Sequence, residues 1–202
     1  GHEEAVKQVA VADRVVLTKT DLQAVDSALI QRIKHLNPTA LLLDSDLGEA
    51  SFANLFNCGL YDPATKSADV SRWLNEEAVN DHHHDHGHGH GHGHDLNRHD
   101  ARIRAFTLIS DQAVDAAALA GFIDLLRSAH GPNLLRVKGI VRIKEDPDRP
   151  VVIHGVQQIF HPPATLPAWP SADHRTRLVM ITRDISESFV RRLFDAFIGN
   201  PG

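Results

Sequence analysis

Residues 81–95 read Asp-His-His-His-Asp-His-Gly-His-Gly-His-Gly-His-Gly-His-Asp, and this run constrains the fold more than any other feature. Alternating His and Gly offers no apolar surface to offset the entropy of ordering it, so the run cannot lie inside a packed core. It divides the 202 residues into stretches of about 80 and about 107. An apolar content of 42% is enough for both stretches to bury surface. The expected organisation is a segment over 1–78, a His-rich linker over 79–99 and a segment over 100–202.

The linker also carries chemistry. Eight of the chain's fifteen histidines lie in it: His82, His83, His84, His86, His88, His90, His92 and His94. With an ordinary pKa of about 6.5, most such rings are neutral near pH 7 and able to coordinate zinc, nickel or cobalt. Glycine lets non-adjacent rings converge on one ion, with Asp81, Asp85 and Asp95 as added oxygen donors. Many interchangeable ligand sets suit capture and hand-over better than a closed tetrahedral site, which needs a few ligands at fixed spacing. The competing reading is a low-complexity polar spacer. Imidazoles alone do not name the metal.

Composition excludes several classes. Net charge is −5, from 21 basic and 26 acidic residues with no basic cluster, which argues against a nucleic-acid partner. The single cysteine, Cys58, rules out an internal disulfide framework, fits a reducing compartment and reads as a small apolar filler. No apolar stretch approaches the roughly 20 residues that span a bilayer, and no signal peptide is visible. The expectation is a cytoplasmic protein without a membrane partner.

In the first segment, Val15-Val16-Leu17 is a short aliphatic run of the kind that forms a buried parallel strand. Thr18-Lys19-Thr20-Asp21-Leu22 follows at once. A helical pattern then places Val25, Leu29, Ile33 and Leu36 on one face and stops at Asn37-Pro38. Ala40-Leu41-Leu42-Leu43 reads as the next strand, ending at Asp44-Ser45-Asp46. Strand, loop, helix, strand is the order of a parallel α/β sheet. Residues 51–56 and 70–74 read as closing helices with Phe52, Leu55, Phe56 and Trp73 inward. A sheet of two strands is too small to be stable alone. With the abrupt start at His2-Glu3-Glu4, this suggests the carboxyl-terminal part of a longer protein.

Ligands of parallel sheets sit beyond the carboxyl ends of the strands, where Thr18-Lys19-Thr20-Asp21 falls. These four residues resemble the Asn-Lys-x-Asp base-recognition element of P-loop GTPases. The resemblance implies that Asp21 accepts from the guanine and that the Lys19 stem lies along the purine. Thr18 stands where the family has the Asn that ties neighbouring loops. The plain alternative is a polar loop with Asp21 as helix N-cap. No Gly-x-x-x-x-Gly-Lys-[Ser/Thr] phosphate loop occurs in the 202 residues.

The second segment predicts a strand over 102–109, a helix over 115–129 with Leu119, Phe122, Ile123 and Leu126 inward, and a strand over 134–143. A tight connection at 146–150 leads to a strand over 151–160 and a Pro-rich loop. A strand over 177–183 and a helix over 186–198 complete it. The order β-α-β-β-β-α implies a small antiparallel sheet with helices on one face. His154, His161 and His174 are scattered and read as packed or surface residues rather than ligands.

Ala-Asp-Arg-Val-Val-Leu before Thr-Lys-Thr-Asp-Leu, a His-rich linker, and then Leu135-Arg136-Val137-Lys138-Gly139-Ile140-Val141 with His154-Gly155-Val156-Gln157 together resemble the CobW family. Its members are SIMIBI-type (G3E) metallochaperone GTPases. The resemblance implies a partial P-loop GTPase parallel sheet, of α/β class, followed by an α+β CobW C-terminal domain. It also implies GTP with Mg2+ in the intact protein, delivery of Zn2+ or Co2+ to a metal-requiring client protein, and guanine nucleotide bound through Thr18, Lys19 and Asp21. The phosphate loop and Cys-x-Cys-Cys metal motif of the family would lie upstream of residue 1, so this segment alone is not expected to hydrolyse GTP. A non-enzymatic His-rich metal buffer and a client-binding adaptor are the alternatives.

Overall fold

A computed structural model describes residues 2–56 and 102–199. Helix α1 (His2–Val11) leads into β1 (Arg14–Leu17), α2 (Ser27–Leu36), β2 (Leu41–Asp44) and the short α3 (Phe52–Phe56). Strands β1 and β2 pair in parallel, Arg14 opposite Leu41 through Leu17 opposite Asp44. The strand–loop–helix–strand order therefore holds, but β1 is only half-buried, with Val16 exposed, and the helix starts later than the apolar spacing suggested. Asp26 caps α2, its carboxylate accepting from the Ala28 amide at 2.9 Å. Val25 thus precedes the helix and Asp21 is not its N-cap. Of the four residues expected on one face, Ile33 and Leu36 are buried, whereas Leu29 is exposed.

The closing-helix reading also needs correction. Phe52 and Phe56 are 78% and 72% exposed, with Leu55 partly buried. The two rings lie one turn apart on α3 and stack on each other at 4.5 Å. Among the described residues no element covers them, so they meet each other instead of a core. Residues 70–74, Trp73, Cys58 and the His run lie outside the described residues.

The second segment forms an antiparallel six-stranded sheet. Its strands are β3 (Ile103–Ser110), β4 (Leu134–Val141), β5 (Val151–Val156), β6 (Ile159–Phe160), β7 (Ala164–Thr165) and β8 (Thr176–Arg183). The spatial order is β3-β8-β4-β5-β6, with β7 also paired to β5. The expected strand over 151–160 is broken at Gln157, whose positive φ of 56° turns the chain back so that β6 pairs with β5. Helices α4 (Ala116–His130) and α5 (Glu187–Ile198) are capped by the Asp115 carboxylate and the Ser186 hydroxyl.

Side chains alternate across the strands and give the sheet two apolar faces. One carries Phe106, Leu108, Val137, Val141, Leu178 and Met180 and packs under α4 and α5 through Leu119, Phe122, Leu126, Val190 and Phe194. On the other face, Ile103, Leu135 and Ile181 pack against Val6 and Ala10 of α1 and Leu36 of α2. Next to them, Ile140, Val152 and Val179 are covered by Leu166 and Trp169 of the Pro-rich loop. The antiparallel sheet is therefore covered on both faces, and the first segment supplies part of the second cover. Period alone could not reveal this, because nothing local states which helix a distant sheet will bury.

Candidate functional site

The Thr18–Asp21 loop leaves the carboxyl end of β1 and is built around carboxylates from the end of β2. Asp46 accepts from the Thr20 amide at 2.6 Å, the Thr20 hydroxyl at 2.8 Å and the Asp21 amide at 3.3 Å. The Thr20 hydroxyl also lies 2.8 Å from the Asp44 carboxylate. Asp44 in turn accepts from the amides of Asp46 and Leu47 at 2.9 and 3.4 Å, folding its own loop. Donation by the Thr20 hydroxyl, and then by the backbone amides, holds the Asp46 carboxyl below its ordinary value of 3.8.

Within this frame Lys19 adopts φ 60°, the left-handed region that a lysine visits only when neighbours impose it. The Leu22 amide donating to the Lys19 carbonyl at 3.2 Å closes the turn. Thr18, Lys19 and Asp21 are exposed, while Thr20 is half-buried. The structure thus brings the three expected base-recognition residues onto one exposed loop at the ligand edge of a parallel sheet. It gives the loop-tying work to Thr20, not Thr18. Thr20, Asp44 and Asp46 escaped the sequence reading. Their signal was present nonetheless: Asp44-Ser45-Asp46 follows the second parallel strand directly and must emerge beside the first loop.

A second polar cluster lies at the opposite end of β1. Arg136 and Lys138 alternate with Val137 on β4, so both project from the face covered by α1 and α2. They are only 2% and 4% exposed. Arg136 donates to the Val11 carbonyl and forms an ion pair with Asp13, and the Lys138 ammonium lies 2.9 Å from the same carboxylate. Burial raises the Asp13 carboxyl, but Lys138 and Arg136 outweigh it and hold the group below 3.8. Burial, reinforced by the Arg136 charge, pushes Lys138 down from 10.5 to about 8. His154 is opposite Lys138 on β5. Burial first, then Arg136 and Lys138, push it down to about 4, so it is neutral at pH 7.

No group of three metal-ligating side chains comes together among the described residues. His154 and His161 lie 5.3 Å apart between ring centroids, and His174 stacks on Trp169 at 4.9 Å. His82, His83, His84, His86, His88, His90, His92 and His94 lie outside the described residues. Among the described residues no helix is long and apolar enough to cross a membrane.

Residues 103–198 match the family model described as the cobalamin synthesis protein cobW C-terminal domain. The zinc chaperone YjiA of Escherichia coli (strain K12) is 25% identical over 190 residues, which cover 94% of this chain and 53% of that protein. The chain therefore spans about half the length of this curated relative. The crystal structure of the Zn(II)-bound YjiA GTPase from E. coli superposes with a TM-score of 0.63 at 22% identity, covering 96% of this chain and 54% of that one. A Zn(II)-bound triple mutant of the same GTPase superposes equally well. At this identity the superposition speaks for the fold: a parallel α/β sheet followed by an antiparallel α+β sheet. Over residues 103–198 the chain is therefore similar to the CobW C-terminal domain.

Proposed function

We propose that this chain is part of a GTP-dependent metallochaperone of the CobW type. In this reading residues 1–78 form the carboxyl-terminal part of a GTPase domain, 79–99 a His-rich linker and 100–202 the client-binding CobW C-terminal domain. The observation that carries it is the Thr18–Asp21 loop, pinned by Asp46 at the carboxyl edge of a parallel sheet. Asp21 offers a carboxylate that complements the two adjacent donors of a guanine base, and the Lys19 stem offers apolar cover for its face. The likeness to a zinc chaperone supports zinc as the cargo.

Bound GTP supplies the energy of hydrolysis, and this chain's contribution is recognition of the base. No residue here is assigned to the phosphates or to Mg2+, because the 202 residues contain no phosphate-binding loop. The His run would raise the metal concentration beside the transfer site, acting as tethered, exchangeable ligands. Cytoplasmic location agrees with a single cysteine.

Two changes in the intact protein test these roles separately. Asp21→Asn should weaken GDP binding by about tenfold or more while xanthosine diphosphate, whose ring presents an acceptor at that edge, gains. Unchanged preference would remove Asp21 from a guanine pocket. Deleting residues 82–94 should lower zinc stoichiometry by calorimetry and leave GDP affinity as it was. Full zinc binding after the deletion would reduce the run to a spacer.

A further inference from the structure

Asp13 joins the two polar clusters. Its carboxylate is held by Arg136 and Lys138 of the antiparallel sheet, and its carbonyl accepts from the Leu41 amide at 3.1 Å. Beyond it, β1 is four residues long and paired to β2 over its full length. The Ser45 amide continues the ladder by donating to the Leu17 carbonyl at 3.0 Å, and Asp44 then holds the Thr20 hydroxyl. Every link from Lys138 to Thr20 is a hydrogen bond, an ion pair or an extended strand. Such a path has no flexible linker in which a displacement could be lost.

We infer that Arg136 and Lys138 are positioning residues for the guanine site: through Asp13 they fix the strand whose far end presents Thr18, Lys19 and Asp21. The inference rests on the nucleotide reading proposed above. Two buried cations on one carboxylate are a costly way to stabilise an interface, since removing them from water offsets most of the attraction. The neighbouring surface is apolar, and Val6, Ala10 and Leu36 already close it. Directional bonds to Asp13 and to the Val11 carbonyl give what apolar packing does not, a defined position of the chain entering β1. A third cross-segment contact serves as contrast. Arg183 donates to Glu3 at 3.0 Å, on the outer part of α1 and away from β1.

The test measures fluorescent GDP binding to the intact protein carrying Lys138→Met, Arg136→Met, Asp13→Asn or Arg183→Gln. Each of the first three should raise the GDP dissociation constant about three- to tenfold and keep the preference for guanine over adenine. The Lys138→Met/Asp13→Asn double variant should be no weaker than the worse single one, because both break one path. Arg183→Gln, which touches the same interface but not Asp13, should bind GDP as the unmodified protein does. Folded Lys138→Met with unchanged GDP affinity overturns the inference. So does an equal loss in Arg183→Gln, which would indicate general loosening. Should the buried variants not fold, hydrogen exchange on the unmodified protein reads the same coupling. GDP should then slow amide exchange at residues 136–138, and unaltered rates overturn the inference. Asp21→Asn run alongside separates the two ideas. If it changes base preference while Lys138→Met does nothing, only the positioning role fails. If it leaves preference intact, the nucleotide reading fails first.

Discussion

Gly139 lies between Lys138 and Ile140 on β4, opposite Leu178 of β8. A Cβ there would fall 2.2 Å from Leu178 Cδ2 and 3.0 Å from the Arg177 carbonyl oxygen. Leu178 is fully buried and cannot swing aside without disturbing the core beneath α4 and α5. Gly139→Ala should therefore lose about 1–3 kcal/mol, read from denaturant unfolding of the intact protein. A loss under a few tenths would mean that Leu178 has free space to move into. Arg136 and Lys138 precede this glycine on the same strand. Their charges in an apolar strand were visible in the sequence, and two cations on one sheet face require a carboxylate. Which carboxylate supplies it was not visible, because Asp13 lies over a hundred residues away.

Elements were legible where they bury their own pattern. Helix α4 turns Leu119, Phe122 and Leu126 inward as its spacing requires, and Asp115 marks its start. Helix α2 was less legible, since its apolar spacing runs on past its real amino terminus to Val25. The cap at Asp26 decides, because a satisfied amide end outweighs one further apolar position. At its other end Asn37 does more than stop the helix. Its side-chain amide donates to the carbonyls of Val9, Ala10 and Ala12, at 2.9, 3.2 and 2.8 Å, and its oxygen accepts from the Thr39 hydroxyl at 2.7 Å. One fully buried residue thus closes the end of α1 and aligns it with α2. Asn37→Ala should cost about 1–3 kcal/mol, since the buried Ala10 carbonyl and the half-buried Ala12 carbonyl would lose this donor, while Val9 keeps the Ala12 amide. It should speed amide exchange through α1 more than through α4. Uniform acceleration across both helices would place the loss elsewhere.

At the scale of the whole molecule, the buried charges between the two segments set a pH dependence. His154 titrates near 4 in the fold, against an ordinary 6.5. Between those values the unfolded chain binds a proton that the folded one refuses, so stability falls as pH drops from 6.5 to 4. The loss should reach about 3 kcal/mol and be absent from His154→Gln. Lys138 acts at the other end. Its folded value of about 8 lies below 10.5, so stability should rise between those limits as the unfolded chain alone keeps its proton. Thermal melts from pH 4 to 10 check both limbs, and a flat acid limb would mean that His154 is hydrated in solution.

By itself the sequence determined the strand–loop–helix–strand order of the first segment and the principal strands and helices of the second, without β6 and β7. It also determined the α/β and α+β characters of the two segments and the exposed loop at the end of β1. These follow from local period, caps and turn chemistry, which act over a few residues. The tertiary structure alone decided that α1 and α2 cover the antiparallel sheet, that Thr20 is tied by Asp44 and Asp46, and that Asp13 meets Arg136 and Lys138. Each of these joins residues far apart in the chain, and such pairings are chosen by the collective burial of apolar surface and of the charges that accompany it.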